Sequence, residues 1–122
     1  MRQWSVSICD LDFLVRAALC WQEQDREARI DETVAAAAEA HLYRSSRGRP
    51  HPNFGSGAIL DVLGACPRKP TQVALDFAYL EIMQRVIGTV LEHYPRVHDM
   101  QRGMVGSTDR RAGSRSAPQS EQ

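Results

Sequence analysis

The sequence lacks a long apolar run, and this absence excludes a membrane-spanning helical protein. No stretch approaches the roughly 18 consecutive apolar residues that a transmembrane helix requires. Near the start, Asp10 and Asp12 stand where a secretory signal would need an apolar segment. We therefore expect a cytoplasmic protein with no membrane partner.

Cysteine is also scarce. The chain has three cysteines, Cys9, Cys20 and Cys66, an odd number without C-x-x-C spacing, which favours reduced thiols over a disulfide framework. These cysteines and the four histidines show no zinc-ligand spacing, so the sequence predicts no metal site and no cofactor. A phosphate-binding G-x-x-x-x-G-K-[ST] loop and a paired-carboxylate motif are absent as well, and the sequence does not favour an enzyme.

Size and composition are typical of one soluble globular domain. The chain has 122 residues, of which 43% are hydrophobic and 25% charged. The formal net charge of zero hides an uneven distribution, because residues 1–43 carry four arginines and eight acidic residues. Residues 44–69 reverse this balance, with four arginines and one lysine against Asp61 alone. The local sign of charge is therefore more informative than the total.

Hydrophobic periodicity predicts an all-α domain of three or four helices over residues 1–95, followed by a disordered tail over 96–122. The first helix is expected after Asp10 as its N-cap, and the second from Asp25 to near Ser46. After a long Gly/Pro connector, Ser56 is expected to cap a short helix over 57–63. The longest helix is predicted over 71–94, closed by Pro95.

The last predicted helix has an unusually broad apolar face. One interpretation is that this helix forms the centre of the core. The other is that part of the face pairs with a second copy of the chain, because an uncovered apolar patch usually marks an interface. The predicted self-association residues are Tyr79, Ile82, Met83, Val86 and Val90.

The connector, residues 44–57, is rich in arginine and glycine and contains His51. This composition suggests a site for phosphate or nucleic acid. Arginines precede a glycine-flanked helix start, whose free N–H groups and positive dipole end favour an anion. The candidate residues are Arg44, Arg47, Arg49, His51, Gly55, Ser56, Gly57, Arg68 and Lys69. The structural alternative is that glycine and proline shape the loop, His51 donates to a backbone carbonyl, Phe54 fills the core and the arginines pair with the acidic first half.

A resemblance also lies in this region. The strings AEAHLYR at 38–44, GRPHP at 48–52 and GSGAIL at 55–60 resemble a pattern in short bacterial proteins associated with prophage-derived gene transfer agents. In that setting the resemblance implies the small terminase subunit, which packages DNA with a large subunit. The sequence departs from the usual plan because its first two helices are acidic, with no basic recognition helix. Duplex contacts would then come from the connector or the tail, and self-association would strengthen them through avidity.

Two other functions compete with a packaging adaptor. A protein-binding regulator could use the acidic helices as a nucleic-acid mimic, provided that Asp25, Glu27, Asp31, Glu32 and Glu39 form one exposed array. A small enzyme could be built around His51, provided that an acid or base converges on its ring in the folded chain.

Overall fold

The computed structural model describes residues 3–71 and 74–105, without the side chains of residues 96 and 98–105. This part of the chain forms four helices and no β-strand: α1 (Ile8–Ala18), α2 (Glu23–Arg47), α3 (Ile59–Leu63) and α4 (Phe77–Val105). The predicted all-α fold is confirmed. The prediction of a disordered tail is wrong for residues 96–105, which belong to α4, and residues 106–122 lie outside the described residues.

The first helix begins earlier than predicted because a different residue caps it. Ser7 has extended backbone and its Oγ accepts a hydrogen bond of 3.0 Å from the N–H of Asp10, so α1 begins at Ile8. Asp10 lies inside the first turn, and its carboxylate turns instead toward α3. The prediction of Asp10 as the α1 cap is therefore wrong, although Asp10 does cap a helix end elsewhere.

Glycines end α2 and α3 as their positions suggest. Gly48 follows the last residue of α2 with φ of 75°, and its N–H donates to the Arg44 carbonyl oxygen at 2.8 Å. Gly64 similarly ends α3, with φ of 54°. The start of α3 differs from the prediction, because Ala58 occupies the N-cap position and Ser56 lies two residues before it.

The last helix is displaced toward the C-terminus at both ends. It starts at Phe77 because the Oδ1 atom of Asp76 accepts from the N–H of Tyr79 at 2.9 Å, which is N-capping geometry. Pro95 does not end it, and the helix continues to Val105. Pro95 has no N–H to donate to the Leu91 carbonyl oxygen, and both residues are exposed. Val97, two residues later, is buried in the core.

The core lies where α4 packs across α1 and α2. Four of the predicted self-association residues, Tyr79, Ile82, Val86 and Val90, belong to this core, and Met83 is half-buried against it. These residues pack inside the domain, where each buried aliphatic side chain stabilises the fold by about 1.5–3 kcal/mol. Their prediction as a self-association surface is therefore wrong.

A partly buried hydrogen bond joins α4 to α1. The Tyr79 hydroxyl donates to the Oδ1 atom of Asp12 at 2.6 Å. Burial, and then this hydrogen bond to a carboxylate, raises the pKa of Tyr79 to about 12. In the part of the chain that is described, no helix combines the length and apolar character needed to cross a membrane.

Candidate phosphate-binding site

Three arginines surround the C-terminal end of α2. Arg44 is half-buried in the last turn, whereas Arg47 and Arg49 are exposed on either side of Gly48. The Arg47 guanidinium lies 5.0 Å from the centre of the Tyr43 ring, which orients it by a cation–π contact. A polar cavity of about 220 Å³ is lined by Arg44 and Gly48 together with His41 and Ser45. We call Arg44, Arg47 and Arg49 the arginine cluster.

The arginine cluster has no carboxylate partner. Within residues 3–71 and 74–105, none of its three members has an acidic oxygen within 4.0 Å. The acidic residues that do form ion pairs meet other groups: Asp12 pairs with Arg16, Glu39 with His51 and Asp31 with His93. The structural alternative, in which these arginines pair with the acidic first half, is not what the structure contains.

His51 holds the connector together from within. Its Nδ1 atom accepts hydrogen bonds from the N–H groups of Asn53 and Phe54, at 3.0 and 3.2 Å. Its backbone pairs with Gly55 in both directions, and its ring stacks on Phe54 and meets the edge of Tyr43, each at 4.8 Å. The Nε2 atom lies 3.6 Å from the Glu39 carboxylate. Both ring nitrogens therefore face groups of this chain, and neither is placed to receive a phosphate.

Carboxylates of this chain already accept hydrogen bonds from the glycine half of the connector, residues 55–59. Asp61 Oδ2 accepts from the N–H and the Oγ of Ser56, at 3.1 and 2.7 Å. Asp10 Oδ2, from α1, accepts from the N–H of Ile59 at 3.1 Å. The hydrogen bonds from Ser56 lower the pKa of Asp61. The prediction that Gly55, Ser56 and Gly57 cradle a phosphate is therefore wrong, because the Ser56 N–H and Oγ donate to Asp61 and the Gly55 N–H donates to the His51 carbonyl oxygen.

Close packing explains both glycines without a ligand. A Cβ atom at Gly55 would stand 2.6 Å from the Cβ of Asp61, and one at Gly57 would stand 3.0 Å from the Cβ of His41. Both glycines have positive φ, at 84° and 109°. Their close approaches are therefore to this chain's own side chains.

Arg68 and Lys69 belong to a different surface. The Arg68 guanidinium lies 4.6 Å from the centre of the Phe13 ring, and that of Arg16 lies 5.1 Å from the same ring. Arg16 also exchanges backbone contacts with Lys69, accepting from its N–H and donating from Nε to its carbonyl oxygen. These residues attach the segment between α3 and α4 to α1. Contrary to the prediction, Arg68 and Lys69 are therefore not part of the arginine cluster.

The contacts that decide the site join residues far apart in sequence. The sequence does not predict that Asp10 and Asp61 accept from donors of the glycine half, and Asp10 lies 49 residues from Ile59. Only Asp61 had a local signal, since it is the single acidic residue of the basic segment 44–69. In the described residues, no group of three or more His, Cys, Asp or Glu side chains could hold a metal ion.

Comparison with known proteins places the chain in a family without assigning its chemistry. Residues 4–90 match the family model described as "Domain of unknown function (DUF7742)", and the chain belongs to this family. The match runs from the N-terminal segment through α1, α2, α3 and the first half of α4, so it includes the arginine cluster. No curated protein and no solved structure matches the chain.

Proposed function

We propose that this member of the family is a non-enzymatic, small terminase-like DNA-packaging adaptor that self-associates in the cytoplasm. It binds the phosphates of duplex DNA weakly through Arg44, Arg47 and Arg49. A large packaging subunit would be its second partner. The packaging context and that partner rest on the resemblance of residues 38–60, and the choice of residues rests on the site geometry.

The observation that carries the proposal is the arginine cluster without an acidic partner. Guanidinium groups donate bidentate hydrogen bonds to phosphate, and three of them at one helix end form a local positive patch. No helix presents these arginines to base edges, because they lie at a helix end and in a loop. Binding should therefore be largely independent of DNA sequence and strongly reduced by salt.

The geometry favours the adaptor over its two rivals. A nucleic-acid mimic needs its carboxylates free and aligned, yet Glu39 faces His51 and Asp31 faces His93. Glu27 and Asp31 also line a groove between α2 and α4 that contains Arg85. The acid that the enzyme hypothesis requires is present, because the Glu39 carboxylate lies 3.6 Å from His51 Nε2. The same contact and the two N–H groups that donate to Nδ1 leave neither ring nitrogen directed at a substrate.

Titration of a labelled duplex of arbitrary sequence at low salt, followed by fluorescence anisotropy, tests the proposal. Replacing Arg47 and Arg49 together with Ala should weaken binding by about tenfold or more on every duplex. The control replaces Arg29 and Arg85 with Ala, which changes the net charge equally at exposed positions outside the cluster. It should retain affinity within about twofold. No binding by the parent, or equal losses in both variants, would refute the proposal.

A further inference from the structure

The surface of α4 that faces away from the core carries a second apolar stripe. Phe77, Leu80, Ile87 and Leu91 are 78%, 51%, 42% and 62% exposed. With Gln84 they follow one another at steps of three and four residues, so all five lie along one side of the helix. We call these five residues the outer stripe.

The outer stripe has the composition of an interface core. It contains no charged residue, whereas the charged residues Glu81, Arg85 and Glu92 lie along another side of α4. The area is also sufficient. For side chains of about 150–250 Å² each, the exposed fractions amount to roughly 400 Å². A standard interface buries about 800 Å² per partner, of which rather more than half is apolar.

A groove lies beside one end of the outer stripe. It has a volume of about 300 Å³, and its walls are Ile87, Leu91 and Tyr94 from α4 with Trp4, Val6 and Leu11 from the N-terminal segment and α1. At the other end of the stripe lies Phe77, the most exposed of its four apolar residues. The surface thus has an aromatic projection at one end and an apolar recess at the other.

We infer that the outer stripe binds a second copy of this chain, with the two α4 helices antiparallel about a two-fold axis at Gln84. In this register Phe77 of each copy lies opposite Leu91 of the other and enters its groove, while Leu80 lies opposite Gly88, next to Ile87. A two-fold interface requires such self-complementarity. The two Gln84 side chains meet at the axis, where a single polar position fixes register.

This inference rests on the self-association in the proposed function and replaces the residues predicted from sequence. Light scattering coupled to size exclusion should give twice the mass of one chain for the parent at high micromolar concentration. Leu91→Glu and Ile87→Glu should each weaken the dimer by about 100-fold or more, because the two-fold axis places both introduced charges in one interface. Ala78→Glu is the matched control, since Ala78 is an exposed α4 residue outside the stripe.

Cross-linking tests the register. In a chain with Cys9 and Cys20 replaced by Ser, Gln84→Cys should form a disulfide-linked dimer on mild oxidation and Ala78→Cys should not. Circular dichroism should show unchanged helix content in every variant. A monomeric parent, or a dimer that both Glu variants leave intact, would overturn the inference. If the parent is monomeric and still binds duplex DNA, the inferred dimer is refuted and the proposed DNA contacts stand. If the parent forms a stripe-dependent dimer that binds no duplex, the dimer stands and the proposed DNA contacts are refuted.

Discussion

The glycine half of the connector and the arginine cluster differ in whether this chain supplies a carboxylate to their hydrogen-bond donors. In the glycine half, residues 55–59, the carboxylates of Asp10 and Asp61 take up backbone and hydroxyl donors. In the arginine cluster, three guanidinium groups have no carboxylate within 4.0 Å among the described residues. The fold supplies carboxylates to the donors of the glycine half, whereas it places none beside the arginine cluster among the described side chains.

This difference shows why local composition does not identify a binding site. Glycine and arginine next to a helix start are typical of phosphate binding, but here the glycines precede α3 while the arginines lie at the C-terminal end of α2. Whether such a segment can bind an external anion depends on whether distant residues already accept hydrogen bonds from its donors, because a buried N–H group needs an acceptor. Asp10 fulfils this need from another helix.

The strongest perturbation of the glycine half is Asp10→Ala. It should remove the acceptor from the buried Ile59 N–H and lower the free energy of unfolding by about 1–3 kcal/mol. In a domain of this size the melting temperature should fall by several degrees. Asp10→Asn retains a side-chain oxygen and should recover much of the loss. Identical melting curves for the parent and the Ala variant would show that the contact contributes nothing.

An intermediate effect should separate His51 from its arginine neighbours. His51→Ala removes the acceptor for two backbone N–H groups and the stacking on Phe54, so we expect a loss of about 1–2 kcal/mol in denaturant unfolding. Duplex affinity should change little, since His51 makes no phosphate contact in this account. Glu39→Gln serves as the control and should cost less than about 1 kcal/mol, because Glu39 is exposed. Loss of DNA binding with an intact fold would place His51 in the binding site.

The smallest expected effect is the loss of stability at low pH that follows from the protonation of Asp61. Because the folded chain lowers the pKa of Asp61, its carboxylate stabilises the fold above the ordinary pKa of 3.8, and this contribution is lost as the pH falls through the lowered value. Asp61 is exposed, so the effect should be small. Ser56→Ala keeps the larger backbone hydrogen bond and removes that of the hydroxyl, so the pKa of Asp61 should rise only part of the way toward 3.8, measured by NMR titration of its carboxyl group. An unchanged titration would contradict the contribution of the hydroxyl.

The sequence predicts the elements well and their junctions poorly. The alanine-rich α2, the two glycine helix stops and the apolar face of α4 follow from propensity and periodicity, which act over a few residues. The sequence predicts that Pro95 ends α4, but the helix continues to Val105, with Pro95 exposed and Val97 buried in the core. Which half of the broad α4 face is buried depends on α1 and α2, and periodicity cannot choose between the halves.

The salt dependence of duplex binding tests the central claim most directly. For three phosphate contacts per chain, the logarithm of the binding constant should fall against the logarithm of salt concentration with a slope of about −2.7. Replacing Arg47 and Arg49 with Ala should reduce the slope to about −0.9, with the fold intact by circular dichroism. An unchanged slope in this variant would contradict the assignment of the arginine cluster as the DNA-contacting surface.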